Sequence, residues 1–160
     1  MNRRGLALIS AATAALVLTA TFSVIGLRRA SHYSAVSHER TLVAALAGQY
    51  GVDFTSVDYR HMQSEFQAAS KNATPAFAKV YLRTVAAFAP LYLKGKVVQT
   101  TSVDLAGVTS LTPTSAVVLV ALGGISKNAQ SGAGTSQLFR MRILLTKVGG
   151  RWLTSDVTPL

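Results

Sequence analysis

The sequence predicts an α+β domain behind a single N-terminal transmembrane helix, with about three helices packed on one face of a mainly antiparallel four-stranded sheet. Three observations carry this. Residues 5–27 contain no charged residue between Arg3-Arg4 and Arg28-Arg29. Apolar residues then recur at helical spacing in three successive stretches up to Ala89. From Val97 onward Val and Thr dominate, and the chain closes on an alternating strand, a Gly149-Gly150 turn and a returning strand. Helices first and antiparallel strands afterwards segregate into two layers.

The apolar segment reads as a membrane anchor. At ~1.5 Å per residue it reaches roughly 34 Å as a helix, enough for a ~30 Å hydrocarbon core. A cleaved signal peptide is the alternative, but its apolar region is usually only ~7–15 residues before a small-residue site, and Val24-x-Gly26 fits such a site poorly. A buried soluble helix would show a polar stripe. Flanking arginines are balanced, so orientation is not fixed by charge.

Beyond the anchor (residues 1–29), Val36, Val43, Leu46, Ala47 and Tyr50 make a helical stripe that Gly48 and Gly51 weaken. Residues 30–52 are therefore expected to be a stalk and first helix, with the α+β domain over 53–160. Asp58 to Ala69 forms a second helix with Tyr59, Met62 and Phe66 on one stripe. The third starts at Thr74-Pro75, a cap followed by proline at the first helical position. Phe77, Val80, Tyr81, Thr84, Val85, Phe88 and Ala89 are its expected core stripe, and Pro90 should end or bend it.

Strands follow over Val97–Val108, Ala116–Leu122 and Phe139–Thr146, with a polar loop at Ser126–Ser136 and a return at Arg151–Val157. The continuous AVVLVAL run suggests a strand buried on both faces. A two-residue turn at Gly149-Gly150 sets Lys147 opposite Trp152, Leu145 opposite Thr154 and Ile143 opposite Asp156. Opposed residues share a face. Trp152 thus joins Phe139, Met141, Ile143 and Leu145 under the helices, with the third helix's Phe77, Val80, Tyr81 or Phe88 as neighbours. Arg140, Arg142, Leu144, Thr146, Leu153 and Ser155 take the other face.

The ending FRMRILLTKVGGRWLTSDVTPL, above all Gly150-Arg151-Trp152-Leu153 and Thr158-Pro159-Leu160, resembles the closing signature of actinobacterial Mce-associated membrane proteins. Asp58-Tyr59-Arg60 and the AFAPLYLKGKVV helix end extend the likeness. Gly149 stands where an acidic residue often precedes the glycine. The resemblance implies a curved, cone-shaped domain of the nuclear-transport-factor-like type, on the outer face of the cytoplasmic membrane. It also implies a non-enzymatic accessory role in a Mce-type lipid-import complex. The same architecture would serve a scaffold subunit of a type IV secretion or conjugation apparatus, or a membrane-tethered acid–base enzyme.

Composition narrows the chemistry. The chain has 160 residues, 49% hydrophobic and 14% charged, with Lys+Arg 16 against Asp+Glu 6 and a net charge of +10. Absence of cysteine excludes a disulfide scaffold and any thiolate metal site. The cations are dispersed with no run of three, which argues against nucleic acid and suits a surface near anionic headgroups. His32 and His38 are six apart, not the i, i+4 pair of a helical metal site. No metal and no cofactor is therefore expected. Asp58 with His61, at i, i+3, and Asp156 on the Trp152 face are the candidate acid–base groups. Each has a bland reading: a helix-start carboxylate, and a rim or ion-paired carboxylate. Asn72-Ala73-Thr74 matches a glycosylation pattern, although Thr74 already has a capping role. The expected interaction surface is Arg140, Arg142, Leu144 and Leu153, an apolar centre with a basic rim. Expected partners are Mce-complex or other envelope membrane proteins, and the membrane through residues 5–27. Homo-oligomerisation is left open.

Overall fold

The computed structural model describes residues 36–160; the expected anchor, His32 and the first residues of the stalk lie outside them. No helix among the described residues is long and apolar enough to cross a membrane. Residues Arg40–Leu160 form one packed unit. Its elements are helix α1 (36–55), strand β1 (Val57–Asp58), helices α2 (Met62–Ser70) and α3 (Pro75–Gly95), and strands β2 (Val98–Leu111), β3 (Ser115–Lys127), β4 (Thr135–Val148) and β5 (Arg151–Pro159). The five strands are antiparallel in the order β1-β2-β3-β4-β5. The sheet therefore has five strands rather than four. The extra one is two residues at the point read as the start of the second helix, too short for a periodicity to register.

Alternation along β3 and β4 builds the core. Ala116, Val118, Val120 and Leu122 on β3, with Met141, Ile143 and Leu145 on β4 and Trp152 on β5, are buried together against Val43, Ala47 and Tyr50 of α1. Of the stretch expected as stalk and first helix, α1 from Arg40 onward packs in the same unit as the sheet. The two glycines read as weak points are close-approach positions. A Cβ at Gly51 would meet Leu122, Ile143 and Val120 at 3.4–3.5 Å, and one at Gly48 would come within 3.0 Å of Val103. Their cost in helix propensity, ~1 kcal/mol each, is offset by letting the helix lie down on the sheet.

Trp152 is buried as expected, at 4% exposure, but beneath α1 rather than α3. The Tyr50 hydroxyl donates to the Trp152 carbonyl at 3.1 Å, and Lys147 Nζ lies 5.0 Å from the indole centroid. Tyr81 of α3 instead joins Val57, Met62, Phe66 and Ala69 in a second cluster, edge-on to Phe54 and Phe66. Thr74 caps α3 through Phe77 N–H as expected. The helix then runs through Pro90 to Gly95 and closes on Lys96 at φ 50°. Proline removes only its own N–H bond, and the turns on either side hold the rest. The buried stripe is narrower than the sequence suggests: Val80 and Phe88 are exposed, together with Leu91 and Leu93.

The closing turn has Gly149 at φ 57° and Gly150 at φ 80°, the left-handed pair that a type I′ turn requires. Register is as expected from Val148↔Arg151 to Leu145↔Thr154. A bulge then intervenes, so Leu144 faces Asp156 and Ile143 faces Val157. Ser155 is the extra residue. Its hydroxyl accepts from Thr146 at 2.9 Å and donates to the Leu144 carbonyl at 3.2 Å, which ties the irregularity down.

Candidate functional site

Two surfaces of the unit are shaped for contact: the outer face of the sheet and a cavity on the helix side. The outer face follows from the alternation just described. No described helix lies across it, so the residues between the buried ones stay accessible. Leu119 is 41% exposed, which shows that the AVVLVAL strand is buried on one face only, not two. Leu119 pairs with Arg142, Val117 with Leu144 and Thr146 with Leu153. The expected set Arg140, Arg142, Leu144 and Leu153 thus shares one face. Val117 and Leu119 join it; the sequence missed them because a continuous apolar run carries no alternation to read.

The bulge moves Asp156 onto this outer face, correcting its placement beside Trp152. There it forms an ion pair with Arg142 at 3.8 Å and accepts from the Thr158 hydroxyl at 2.8 Å. Asp58 sits in β1, not in a helix's first turn. It accepts from the Arg60 backbone N–H and guanidinium Nε, each at 2.9 Å, and these bonds hold its carboxyl down at about 2. His61 is exposed at the start of α2 and makes no capping bond. None of these three side chains lines the cavity, so the structure does not assemble them into an acid–base pair. His38 is exposed, and no group of three His, Cys, Asp or Glu residues among the described residues could hold a metal. Asn72 is built into the fold: its amide donates to Asp53 at 3.1 Å, and its carbonyl accepts from Thr154 N–H on the free edge of β5.

The cavity has a volume of about 380 Å³ and opens where α1 ends and α3 begins, over the last residues of β5. Phe54 and Tyr81, 4.9 Å apart between centroids, form one wall. Met141 and Val157 come from the sheet, and exposed Leu138, Arg140 and Leu160 complete the edge of the lining. A smaller depression near Asp53 and Glu65 has its carboxylates engaged already, Asp53 by Gln49 and Asn72 and Glu65 by the Asp58 backbone N–H.

The hydroxyl of Tyr81, whose ring lines the cavity, is buried and without a hydrogen-bond partner. Burial pushes its pKa up, aided by Tyr92, Asp53 and Glu65. An orphaned buried hydroxyl costs ~1–3 kcal/mol. Tyr81→Phe is therefore expected to stabilise the protein by about 1 kcal/mol, a rise of about 2–4 °C in melting temperature. Thermal unfolding followed by circular dichroism checks this, and a fall would mean that the hydroxyl is bonded.

A helix layer on one face of a five-stranded antiparallel sheet, with no described helix on the opposite face, is a fold shared with solved domains. The fold is similar to that of an IcmL-like type IV secretion system protein from Legionella pneumophila (TM-score 0.62, 15% identity, covering 76% of this chain and 93% of that one). It is also similar to the periplasmic domain of DotI (TM-score 0.60, 14%, 74% and 92%) and a periplasmic fragment of TraM (TM-score 0.59, 12%, 72% and 92%). In sequence, residues 6–159 match the family described as uncharacterized protein Rv1363c/MT1408-like, and the chain belongs to that family. Uncharacterized protein Rv1363c of Mycobacterium tuberculosis is 25% identical over 154 residues, 95% of this chain. The chain spans 59% of that relative's length.

Proposed function

We propose that this protein is a non-enzymatic scaffold subunit of a cell-envelope membrane complex, anchored by residues 5–27, with its Arg40–Leu160 unit outside the cytoplasmic membrane. The carrying observation is the outer sheet face, which no described helix covers and where Val117, Leu119, Leu144 and Leu153 lie among Arg140 and Arg142. Apolar residues held rigidly on a sheet beside arginines fit a protein contact better than a solvated surface. Similarity of fold to secretion-system and periplasmic domains supports the envelope setting. The narrower assignment, an accessory of a Mce-type lipid-import complex with Mce proteins as partners, rests on the Gly150-Arg151-Trp152-Leu153 and Thr158-Pro159-Leu160 ending.

The test compares two variants, each first shown to be folded and membrane-inserted. Leu119→Glu/Leu153→Glu should lose co-purification with its complex from detergent-solubilised membranes by at least about tenfold, since a central desolvated contact carries ~2 kcal/mol or more. Asp58→Asn/His61→Gln/Asp156→Asn should retain both co-purification and function. Loss of function with intact co-purification in the second variant would replace the scaffold with an enzyme.

A further inference from the structure

We infer that the solvent-facing side of α3 docks on an anionic lipid surface, with Val80, Phe88 and Leu91 at the headgroup boundary and Lys79, Arg83 and Lys94 against lipid phosphates. This rests on one part of the proposed function, the anchor at residues 5–27, which keeps the unit beside a bilayer.

Only one side of α3 is used by the fold. Phe77, Tyr81, Val85 and Tyr92 pack into the second cluster. At ~100° per residue, Val80, Thr84, Ala87 and Leu91 form one row along the opposite side, and all four are exposed. Val80 and Leu91 are 58% and 64% exposed, and Phe88 beside the row is 50% exposed. From Val80 to Leu91 the row runs roughly 16 Å. Thr84, its polar member, donates its hydroxyl to the Val80 carbonyl at 3.0 Å, so that donor is satisfied within the helix. Apolar side chains gathered on one exposed helix side mark an interaction surface.

The charge on this helix names the partner. Lys79, Arg83 and Lys94 are exposed, and residues 75–96 contain no Asp or Glu. Arg83 and Lys94 each stand three residues from a member of the row, Val80 and Leu91, and Lys79 directly precedes Val80. The ion pairs among the described residues are Arg60 with Asp58 and Arg142 with Asp156, and neither uses a cation of α3. A helix that is apolar on one strip and carries cations alone beside it lies in the interfacial plane of a bilayer, its cations drawn to anionic headgroups. Such a surface needs no matching set of acidic side chains, because its charge is spread along the whole helix. Tethering by the anchor supplies it at high local concentration.

The chain has no cysteine, so one introduced at exposed Ala87 is labelled uniquely. Full-length Ala87→Cys protein carrying an environment-sensitive fluorophore is reconstituted into vesicles of phosphatidylcholine alone or with an equal share of phosphatidylglycerol. Retention after alkaline extraction reports the anchor by itself, so failure of the anchor and failure of the docking are separate results. In the anionic vesicles the emission should shift to the blue and be quenched by spin-labelled lipid, and high salt should weaken both. In the neutral vesicles the quenched fraction should be at least about fivefold smaller. Lys79→Glu/Arg83→Glu/Lys94→Glu, at exposed positions outside the packed clusters, should cut it at least about tenfold in anionic vesicles at unchanged melting temperature. The same fluorophore at Leu119→Cys, on the outer sheet face, should stay in water. Equal emission from Ala87→Cys in anionic vesicles, neutral vesicles and detergent would overturn the assignment. So would a blue shift that appears only when envelope membrane proteins are added, which would make α3 a protein contact.

Discussion

Trp152→Ala should destabilise the Arg40–Leu160 unit by ~3–5 kcal/mol, the scale of truncating a large buried aromatic. For a domain of this size that lowers the melting temperature by on the order of 10 °C or more. The indole fills the space between β5 and α1 beside Tyr50 and Ala47, and Lys147 packs over its ring. Truncation leaves a cavity that α1 cannot close, because Gly48 and Gly51 already hold it at contact distance from the sheet. Thermal or urea unfolding of a fragment of residues 30–160 measures the effect. A change within error would mean that the indole is not part of the core.

Ala47→Glu has a larger expected effect and a sharper meaning. Ala47 is fully buried in the same cluster, facing β3 and β4. A glutamate there overfills the site, ~1–3 kcal/mol, and buries an uncompensated charge, ~3–5 kcal/mol. The sum reaches the whole stability of an ordinary domain, ~5–15 kcal/mol, so the variant should be largely unfolded at 25 °C by near-ultraviolet circular dichroism. If α1 were only a stalk, the same substitution would leave the unit folded.

These two positions show where the sequence could and could not be read. The Trp152 face was legible because a two-residue Gly-Gly turn fixes the pairing of everything near it. The reading failed three residues further on, at Ser155, because a bulge needs no special residue there and yet flips every side chain beyond it. Asp156 therefore left the helix side, which took a candidate acid–base group from beneath the helices and paired it with Arg142. α1 was legible as a helix with an apolar stripe but not as the one that covers Trp152: glycine lowers helix propensity locally, and only the sheet shows that it is a contact point. α3 was over-read, since Val80 and Phe88 satisfy helical spacing yet face outward. Of the outer face, Arg140, Arg142, Leu144 and Leu153 followed from alternation in the last hairpin. Val117 and Leu119 did not, because a run of apolar residues looks the same whether one face or two are covered. The cavity had no signature at all, its lining being drawn from four elements far apart in the chain.

The most direct test of the scaffold reading is a photo-crosslinking amino acid at Leu119 in the full chain, irradiated in intact cells. The account predicts a discrete adduct with another envelope membrane protein, abolished by Leu153→Glu and absent when the crosslinker is moved to exposed Lys79 on α3. No adduct from Leu119, with an efficient one from Lys79, would contradict it.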